Sequence, residues 1–309
     1  MLDFQPVSMG LKTLVESYTF KYGEGSCQHS FVSSYCLRHK YGDMFCEHDG
    51  FLYTIRSQKC TDNQRVYLFP HGDRSNPDAL RQAVQNVLDD AHEHGARVKF
   101  ETLTASAKDI VMNMFPEKFE AVYERDFSEY IYRVDNLTKL PGVKFKAKRN
   151  CIHQFMRDYE GRYKILKISP EHIEQVREFQ ARWLKAKILG EDDYIHEHQL
   201  EQENEGIQVC LDDFFELGLS GIVMFIDGVV SGFAYGAQLS DNMFDTIAEK
   251  GDRNIRDIYL MVKQGLLTLC CADYEYMNYE EDIGVEGLRK MKTMLKPEYM
   301  LDKFIVTEK

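Results

Sequence analysis

The tripeptide Gly72-Asp73-Arg74 returns at Gly251-Asp252-Arg253, and the surroundings of the two copies recur in the same order. Upstream of each lies an apolar run broken by Asp-Gly, at Asp49-Gly50 and at Asp227-Gly228. Gly50 precedes Gly72 by 22 residues, and Gly228 precedes Gly251 by 23. Downstream, Asp78 and Asp257 lead into apolar segments of helical length, and these are followed by the strand-like runs "RVKFET" and "YEYMNY". Hairpin, strand, loop, helix and strand therefore occur twice, which is the signature of a duplicated supersecondary unit.

A duplication fits the length. A chain of 309 residues exceeds what one core usually organises, and two domains are expected. "NLTKLPGV" at 136–143 combines turn residues with a break in periodicity, which places the expected boundary between domains 1–139 and 140–309. No leader pattern or long apolar span is evident, so a soluble cytoplasmic protein without an integral membrane segment is expected. The eight cysteines contain no Cys-x-x-Cys pair and read as reduced thiols. A net charge of −12 opposes nonspecific attraction to nucleic acid or anionic lipid. The exception is residues 139–149, "KLPGVKFKAKR", which hold Lys139, Lys144, Lys146, Lys148 and Arg149 and no acid. It is either a solvated linker or an anion-binding rim.

Within the first half, Leu80, Ala83, Val84, Val87, Leu88 and Ala91 form one apolar stripe, predicting an amphipathic helix that stops near Gly95. "RVYLFP", "RVKFETLT" and parts of "FEAVYERDFSEYIYRV" read as strands. In the second half, Ser169 and Pro170 mark a helix start, and another helix is expected over "LDDFFELG" at 211–218. The segment from Ile258 is apolar almost all round, so it should be covered on several sides. Helices alternating with strands and antiparallel hairpins predict mixed α/β domains rather than a parallel Rossmann sheet.

Covalent hydrolase, Walker-loop, Gly-x-Gly-x-x-Gly and His-Glu-x-x-His motifs are absent. His92-Glu93-His94 and His196-Glu197-His198 place their histidines two apart, on different faces of a helix, where chelation needs three or four. Cys27, His29, Cys36 and His39 are spaced too tightly at the start for the usual zinc pattern. No metal site is expected.

A strand that ends in a loop and opens a helix presents backbone N–H groups to an anion. The second Gly-Asp-Arg loop supplies Lys250, Gly251, Arg253 and Arg256 as candidate donor-binding residues, with Glu249, Asp252 and Asp257 beside them. The first supplies Arg74 alone, and Pro77 removes an N–H. In the alternative reading both are plain turns, with Asp capping the helix. Asn278, Glu280 and Asp282 alternate as they leave a strand, so in extended geometry they share one side and become the catalytic candidates, a carboxylate relaying the proton of an amine nucleophile. Tyr279 faces the other way. The alternative has Asp282 capping a helix that starts near Val285.

The stretches 142–155, "GVKFKAKRNCIHQF", and 278–304, "NYEEDIGVEGLRKMKTMLKPEYMLDKF", resemble the two hallmark segments of a bacterial family related to the C-terminal domain of phosphatidylglycerol lysyltransferases. The resemblance spans essentially the whole chain. It implies two tandem GNAT-like domains, as in Fem-type aminoacyltransferases, the first degenerate and the second carrying the active cleft. Matching positions are Lys148, Arg149, Asn150, Asn278, Glu280, Asp282, Gly284 and Lys292, so Lys148 and Arg149 join the donor-binding candidates. It further implies transfer of an acyl group from aminoacyl-tRNA to an amine or hydroxyl on a small molecule, lipid headgroup or peptide. The chain departs from ordinary GNAT enzymes at the Arg/Gln-x-x-Gly-x-Gly/Ala loop that holds acetyl-CoA, where Gly251-Asp252-Arg253 lacks a second glycine. Acyl-CoA transfer with an altered phosphate loop, and noncatalytic metabolite or peptide binding, are the alternatives.

Overall fold

In the computed structural model, residues 2–189 and 194–309 are described, the side chains of 194–199 excepted. The chain forms two compact units, one of Met1–Ile131 with Glu280–Lys309, the other of Tyr132–Tyr279. This differs from the expected division at 139/140. The final strand inserts between two strands of the first unit, so the last thirty or so residues cannot be assigned by position along the chain.

The first unit contains strands β1 (Gln5–Pro6), β2 (Asp43–His48), β3 (Phe51–Arg56), β4 (Gln64–Tyr67), β5 (His71–Gly72), β6 (Arg97–Thr104) and β7 (Phe119–Tyr123). Strand β8 (Glu129–Arg133) begins in this unit and ends in the next. Its helices are α1 (Lys12–Tyr22), α2 (Phe31–Cys36), α3 (Arg38–Tyr41), α4 (Pro77–Glu93) and α5 (Ala105–Met114). The second unit contributes α6 (Val134–Lys139), α7 (Lys146–Asp158), α8 (Ile173–Ile188), α9 (Tyr194–Asp212) and α10 (Ile258–Leu269), with strands β9 (Tyr163–Lys167), β10 (Ser220–Ile226), β11 (Val229–Ser240), β12 (Met243–Gly251) and β13 (Tyr276–Asn278). The chain then returns to the first unit through α11 (Glu286–Met294), β14 (Tyr299–Leu301) and β15 (Lys303–Glu308).

In the first unit the sheet order is β1-β2-β3-β4-β6-β15-β7. The β2–β3 hairpin turns at Asp49 (φ 50°) and Gly50 (φ 75°), both left-handed, as a two-residue turn between twisted strands requires. Strands β1, β2, β3 and β4 pair antiparallel, and β4 then pairs parallel with β6 after the α4 crossover. In the second unit the order β9-β10-β11-β12-β13 repeats this succession: three antiparallel pairs, then a parallel one after α10. Its hairpin turns at Asp227 (φ 51°) and Gly228 (φ 79°). The fold is a mixed α+β arrangement of two similar sheets, and the pairing senses carry the duplication read from the repeated tripeptide.

Local chemistry explains the elements. Asn76 caps α4, its Oδ1 accepting the Asp78 and Ala79 N–H groups at 3.1 and 3.2 Å, while Pro77 takes a first-turn position where no N–H is needed. Every residue of the predicted α4 stripe is buried, packed with Tyr53, Phe69, Val98 and Phe100. Each buried Leu or Val of the stripe contributes about 1.5–3 kcal/mol of transfer free energy. Elsewhere, α9 ends at Asp212, so most of "LDDFFELG" lies beyond the helix it was expected to form. Two acids followed by a Phe pair and a glycine serve as its terminus, and Phe214 and Leu217 are buried there.

Candidate functional site

In the second unit, β12 and β13 run parallel for only three pairs, Met243 with Tyr276 to Asp245 with Asn278. Beyond them β13 ends while β12 continues to Gly251, and the two strands part company. Three polar side chains occupy the divergence. Lys263, projecting from the largely apolar α10, lies 3.0 and 3.1 Å from the two carboxylate oxygens of Glu249 on β12. It also donates to the Tyr279 hydroxyl just past β13 and lies 4.1 Å from that ring's centroid. Lys263 and Tyr279 are 4 % and 6 % exposed. Burial, and the Glu249 carboxylate beside it, push the Tyr279 hydroxyl well above the usual phenol range, so it holds its proton. Replacing a buried charged group with apolar residues of similar volume is often neutral or stabilising. Stability is therefore a poor reason for Lys263 to stand in this helix.

The loop from Gly251 to α10 is mostly spent on itself. Asp252 accepts the Asn254 N–H at 2.9 Å and closes a side-chain turn; Asp73 does the same to Ser75 at 2.9 Å in the first copy. The repeated tripeptide is therefore turn chemistry in both places, and the helix-capping part of that reading does not hold: Asp257, at the N-cap of α10 with φ 61°, makes no side-chain cap. Gly251 permits close approach, since an added Cβ would lie 2.8 Å from Ile258 Cγ2. Of the cations, Lys250 is buried against Glu203 at 2.7 Å and over the Trp183 ring at 4.2 Å. Arg256 lies 3.3 Å from Asp257. Exposed Arg253 lies 5.8 Å from the Trp183 ring centroid. In the first copy, Arg74 reaches Glu24 at 3.0 Å.

The basic segment divides. Lys139 pairs with Asp135 at 2.8 Å, and Arg149 donates to the Leu140 and Gly142 carbonyls, the latter at 2.8 Å, fastening the linker. Lys146 is exposed at the start of α7 and Lys148 is half-buried.

Asn278, Glu280 and Asp282 do not share one face. The strand stops at Asn278, and Glu280 takes a left-handed φ of 53°, which breaks the two-residue alternation. Asn278 is fully buried as the second unit closes, whereas Glu280 and Asp282 belong to the first. Asp282 is also fully buried, and its carboxylate accepts from Tyr130 at 2.6 Å, Arg125 at 3.1 Å, Arg289 at 2.8 and 3.0 Å and the Gly284 N–H at 3.0 Å. Despite its burial, the hydrogen bonds from Arg289, Tyr130 and Gly284 hold it well below the usual carboxylate range. It cannot relay a proton near neutral pH, because it does not take one. Nor does it cap α11, whose N-cap is Val285.

Sequence reasoning missed a second buried polar cluster, in the first unit. Glu129 and Lys303, both fully buried, pair at 2.8 Å, and Ser26 and the Cys27 N–H donate to Glu129 at 2.8 and 3.1 Å. His29 Nε2 lies 3.2 Å from the Thr102 carbonyl, which only accepts, so His29 carries its proton there and receives His71 Nε2–H on Nδ1 at 3.3 Å. Burial lowers both histidines, His71 to about 3. Of the residues weighed as metal ligands, His92 meets Glu308 at 2.8 Å and His94 the Asp90 carbonyl at 2.7 Å; His196 to His198 lie outside the described side chains.

Residues 19–307 match the family described as phosphatidylglycerol lysyltransferase, C-terminal. The chain belongs to that family. A conserved protein of unknown function from Bacteroides thetaiotaomicron is 26 % identical over the whole of both chains, with a TM-score of 0.91. L-PGS from Bacillus licheniformis superposes with a TM-score of 0.65 at 15 % identity, over 96 % of this chain and 91 % of its own. An uncharacterised protein of Mycoplasmoides gallisepticum is 20 % identical over 256 residues, 82 % of this chain and 79 % of its own.

Membership in this lysyltransferase C-terminal family supports an acyltransferase-type function. Among the described residues no helix is long and apolar enough to cross a membrane. Of the polar groups at the β12–β13 divergence, Lys263 was hidden by the apolar character of α10 and Tyr279 was discounted by strand alternation. The signal that could have found them is a lone lysine inside an apolar helix, which needs a buried partner.

Proposed function

We propose that the chain transfers an aminoacyl group from aminoacyl-tRNA to an amine or hydroxyl acceptor. The observation that carries this reading over acyl-CoA transfer is the Gly251 loop. Its turn N–H at Asn254 is already taken by the Asp252 carboxylate, and Lys250 is neutralised by Glu203. A pyrophosphate needs those groups free, whereas the end of a tRNA carries isolated phosphodiesters that an exposed cation such as Arg253 can meet.

In the reaction the acceptor attacks the ester carbonyl, the acceptor loses a proton, and the terminal ribose oxygen of the tRNA leaves with one. We assign to Lys263 and the firmly protonated Tyr279 the negative charge that develops on oxygen, the lysine giving up one of its two bonds to Glu249 to meet it. Among the three alternating residues we assign the acceptor's proton to Glu280, because Asn278 cannot take it and Asp282 is locked by arginines. Arg253 and Lys148 are assigned to donor phosphates, and Gly251 to the close approach of the loop. Arg256 adds charge at the loop's edge, and Arg149 sets the linker.

The test is transfer of radiolabelled amino acid from aminoacyl-tRNA to a panel of amine and hydroxyl acceptors, run beside acyl-CoA donors. Label transfer from tRNA, lost in Lys263→Met, supports the reading. Transfer from acyl-CoA alone, or thermal stabilisation by CoA but not by aminoacyl-tRNA, overturns it.

A further inference from the structure

Strand β7 is the last strand of the first unit's sheet, and among the described residues it pairs with β15 alone, from Phe119 with Glu308 to Tyr123 with Phe304. The Glu124 N–H donates to the Lys303 carbonyl at 2.8 Å, and the Lys118 carbonyl accepts from the Lys309 N–H at 3.0 Å. Even-numbered residues therefore turn their backbone groups toward β15. Antiparallel alternation points the N–H and C=O groups of Phe119, Ala121 and Tyr123 away from it, along the outer edge of the sheet. Exposure agrees. Glu120, Ala121, Val122 and Tyr123 are exposed in succession, Val122 by 55 % and Tyr123 by 47 %, whereas a strand covered on one face would alternate. Proteins blunt open edges with proline, bulges or very short strands. At the other end of the same sheet β1 is two residues long and ends in Pro6, but β7 has five residues, no proline and no register shift against β15.

The side chains of β7 indicate what fits this edge, because they are complementary to themselves when the strand is reversed. With Ala121 opposite its own copy, Phe119 comes opposite Tyr123, Glu120 opposite Val122 and, at the flanks, Lys118 opposite Glu124, each pair occurring twice. Moving the centre one residue either way sets Glu120 opposite Glu124 or opposite its own copy, and like charges so placed are destabilising. A centre between two residues would set outward backbone groups against inward ones. One register thus satisfies both the ladder and the charges. The Lys118 ammonium is shared rather than free in it, since it lies 3.4 Å from Glu308, whose carboxylate His92 also meets at 2.8 Å.

We propose that two copies of this chain pair antiparallel through β7, about a two-fold axis at Ala121. The outward N–H and C=O groups of Phe119, Ala121 and Tyr123 bond those of Tyr123, Ala121 and Phe119 of the second copy, and the pairing covers Val122 and Tyr123. Contact through one short strand is small beside a standard protein interface, so the dimer is weak and forms with rising concentration. The proposal does not depend on the nature of the acyl donor.

Sedimentation velocity of the full chain over a concentration series, beside hydrogen exchange of the β7 amides, tests it. A concentration-dependent dimer is expected, in which the Ala121 and Tyr123 amides gain protection while Val122 is protected throughout. Ala121→Pro should abolish the dimer with thermal unfolding little changed, because that N–H faces away from β15 and an edge proline is tolerated there. Val122→Lys, placed opposite Glu120 of the second copy, should tighten the dimer by about two- to thirtyfold, and Val122→Glu should weaken it by a similar factor, each acting twice across the axis. A monomer at every concentration, a dimer indifferent to all three variants, or a dimer that leaves the Ala121 and Tyr123 amides unprotected overturns the proposal.

Discussion

Arg289 grips Asp282 with both arms of its guanidinium: Nε lies 3.0 Å from one carboxylate oxygen and Nη2 lies 2.8 Å from the other. Asp282 is fully buried, so this fork, with Arg125 and Tyr130, decides whether α11 stays attached. Asp282→Ala strands the arginines and should cost about 2–4 kcal/mol of stability, at the lower end because Arg289 is 37 % exposed. Urea denaturation measures it. The sign with pH follows from the depressed carboxylate: its stabilisation is present above the unfolded value of about 3.9 and lost as pH falls below it. The variant should therefore lose less than the parent on acidification through that range.

The buried His29–His71 pair acts at a higher pH. Both are held neutral by burial, His71 down to about 3, whereas an unfolded histidine titrates near about 6.5. Their contribution is present above the unfolded value and is lost as pH falls from there toward the folded values, with a slope of up to about 1.4 kcal/mol per pH unit for each histidine. Denaturation midpoints at pH 7, 6 and 5 should fall more steeply in the parent than in His71→Gln. Parallel slopes would show that the pair does not titrate as its burial requires.

Lys263 separates chemistry from stability. Lys263→Met should lower the transfer rate by about a hundredfold or more, as removal of one preorganised donor does. It also leaves the Glu249 carboxylate buried without its cation, so stability should drop as well. Adding Glu249→Gln should restore most of the stability and none of the rate. Recovery of both would make the group structural.

Contact with tRNA predicts a salt dependence. If Lys144, Lys146, Lys148 and Arg253 meet about four phosphates, the log–log slope of affinity against salt should lie near about −3. Charge reversal at Lys146 and Lys148 should flatten it. A slope unchanged by that reversal would remove the segment from the donor site.

Asp252 makes a narrower prediction about the loop. Asp252→Ala releases the Asn254 N–H, so the parent should bind inorganic pyrophosphate more weakly than the variant in calorimetry. Equal affinities would mean that the turn does not gate anion access.

What the sequence determined by itself is local and periodic. The stripe from Leu80 to Ala91, the Asp-Gly hairpins and the repeated Gly-Asp-Arg turn follow from side-chain spacing and backbone preference, which act over a few residues whatever the remaining chain does. The duplication was legible for the same reason. The chemistry was not. Asp282 looked like a proton carrier until Arg125, 157 residues away, and Tyr130, 152 away, closed on it. Lys263 looked like an interruption of an apolar helix until Tyr279 and Glu249 met it, and Ser26 reached Lys303 across 277 residues. The return of β15 into the first unit likewise gives a division different from the one that the turn residues and broken periodicity of 136–143 had put at 139/140. A carboxylate or ammonium is identical in sequence whether solvated or buried; its proton affinity depends on which charges and dipoles the fold brings within a few ångströms, and only the tertiary structure decides that.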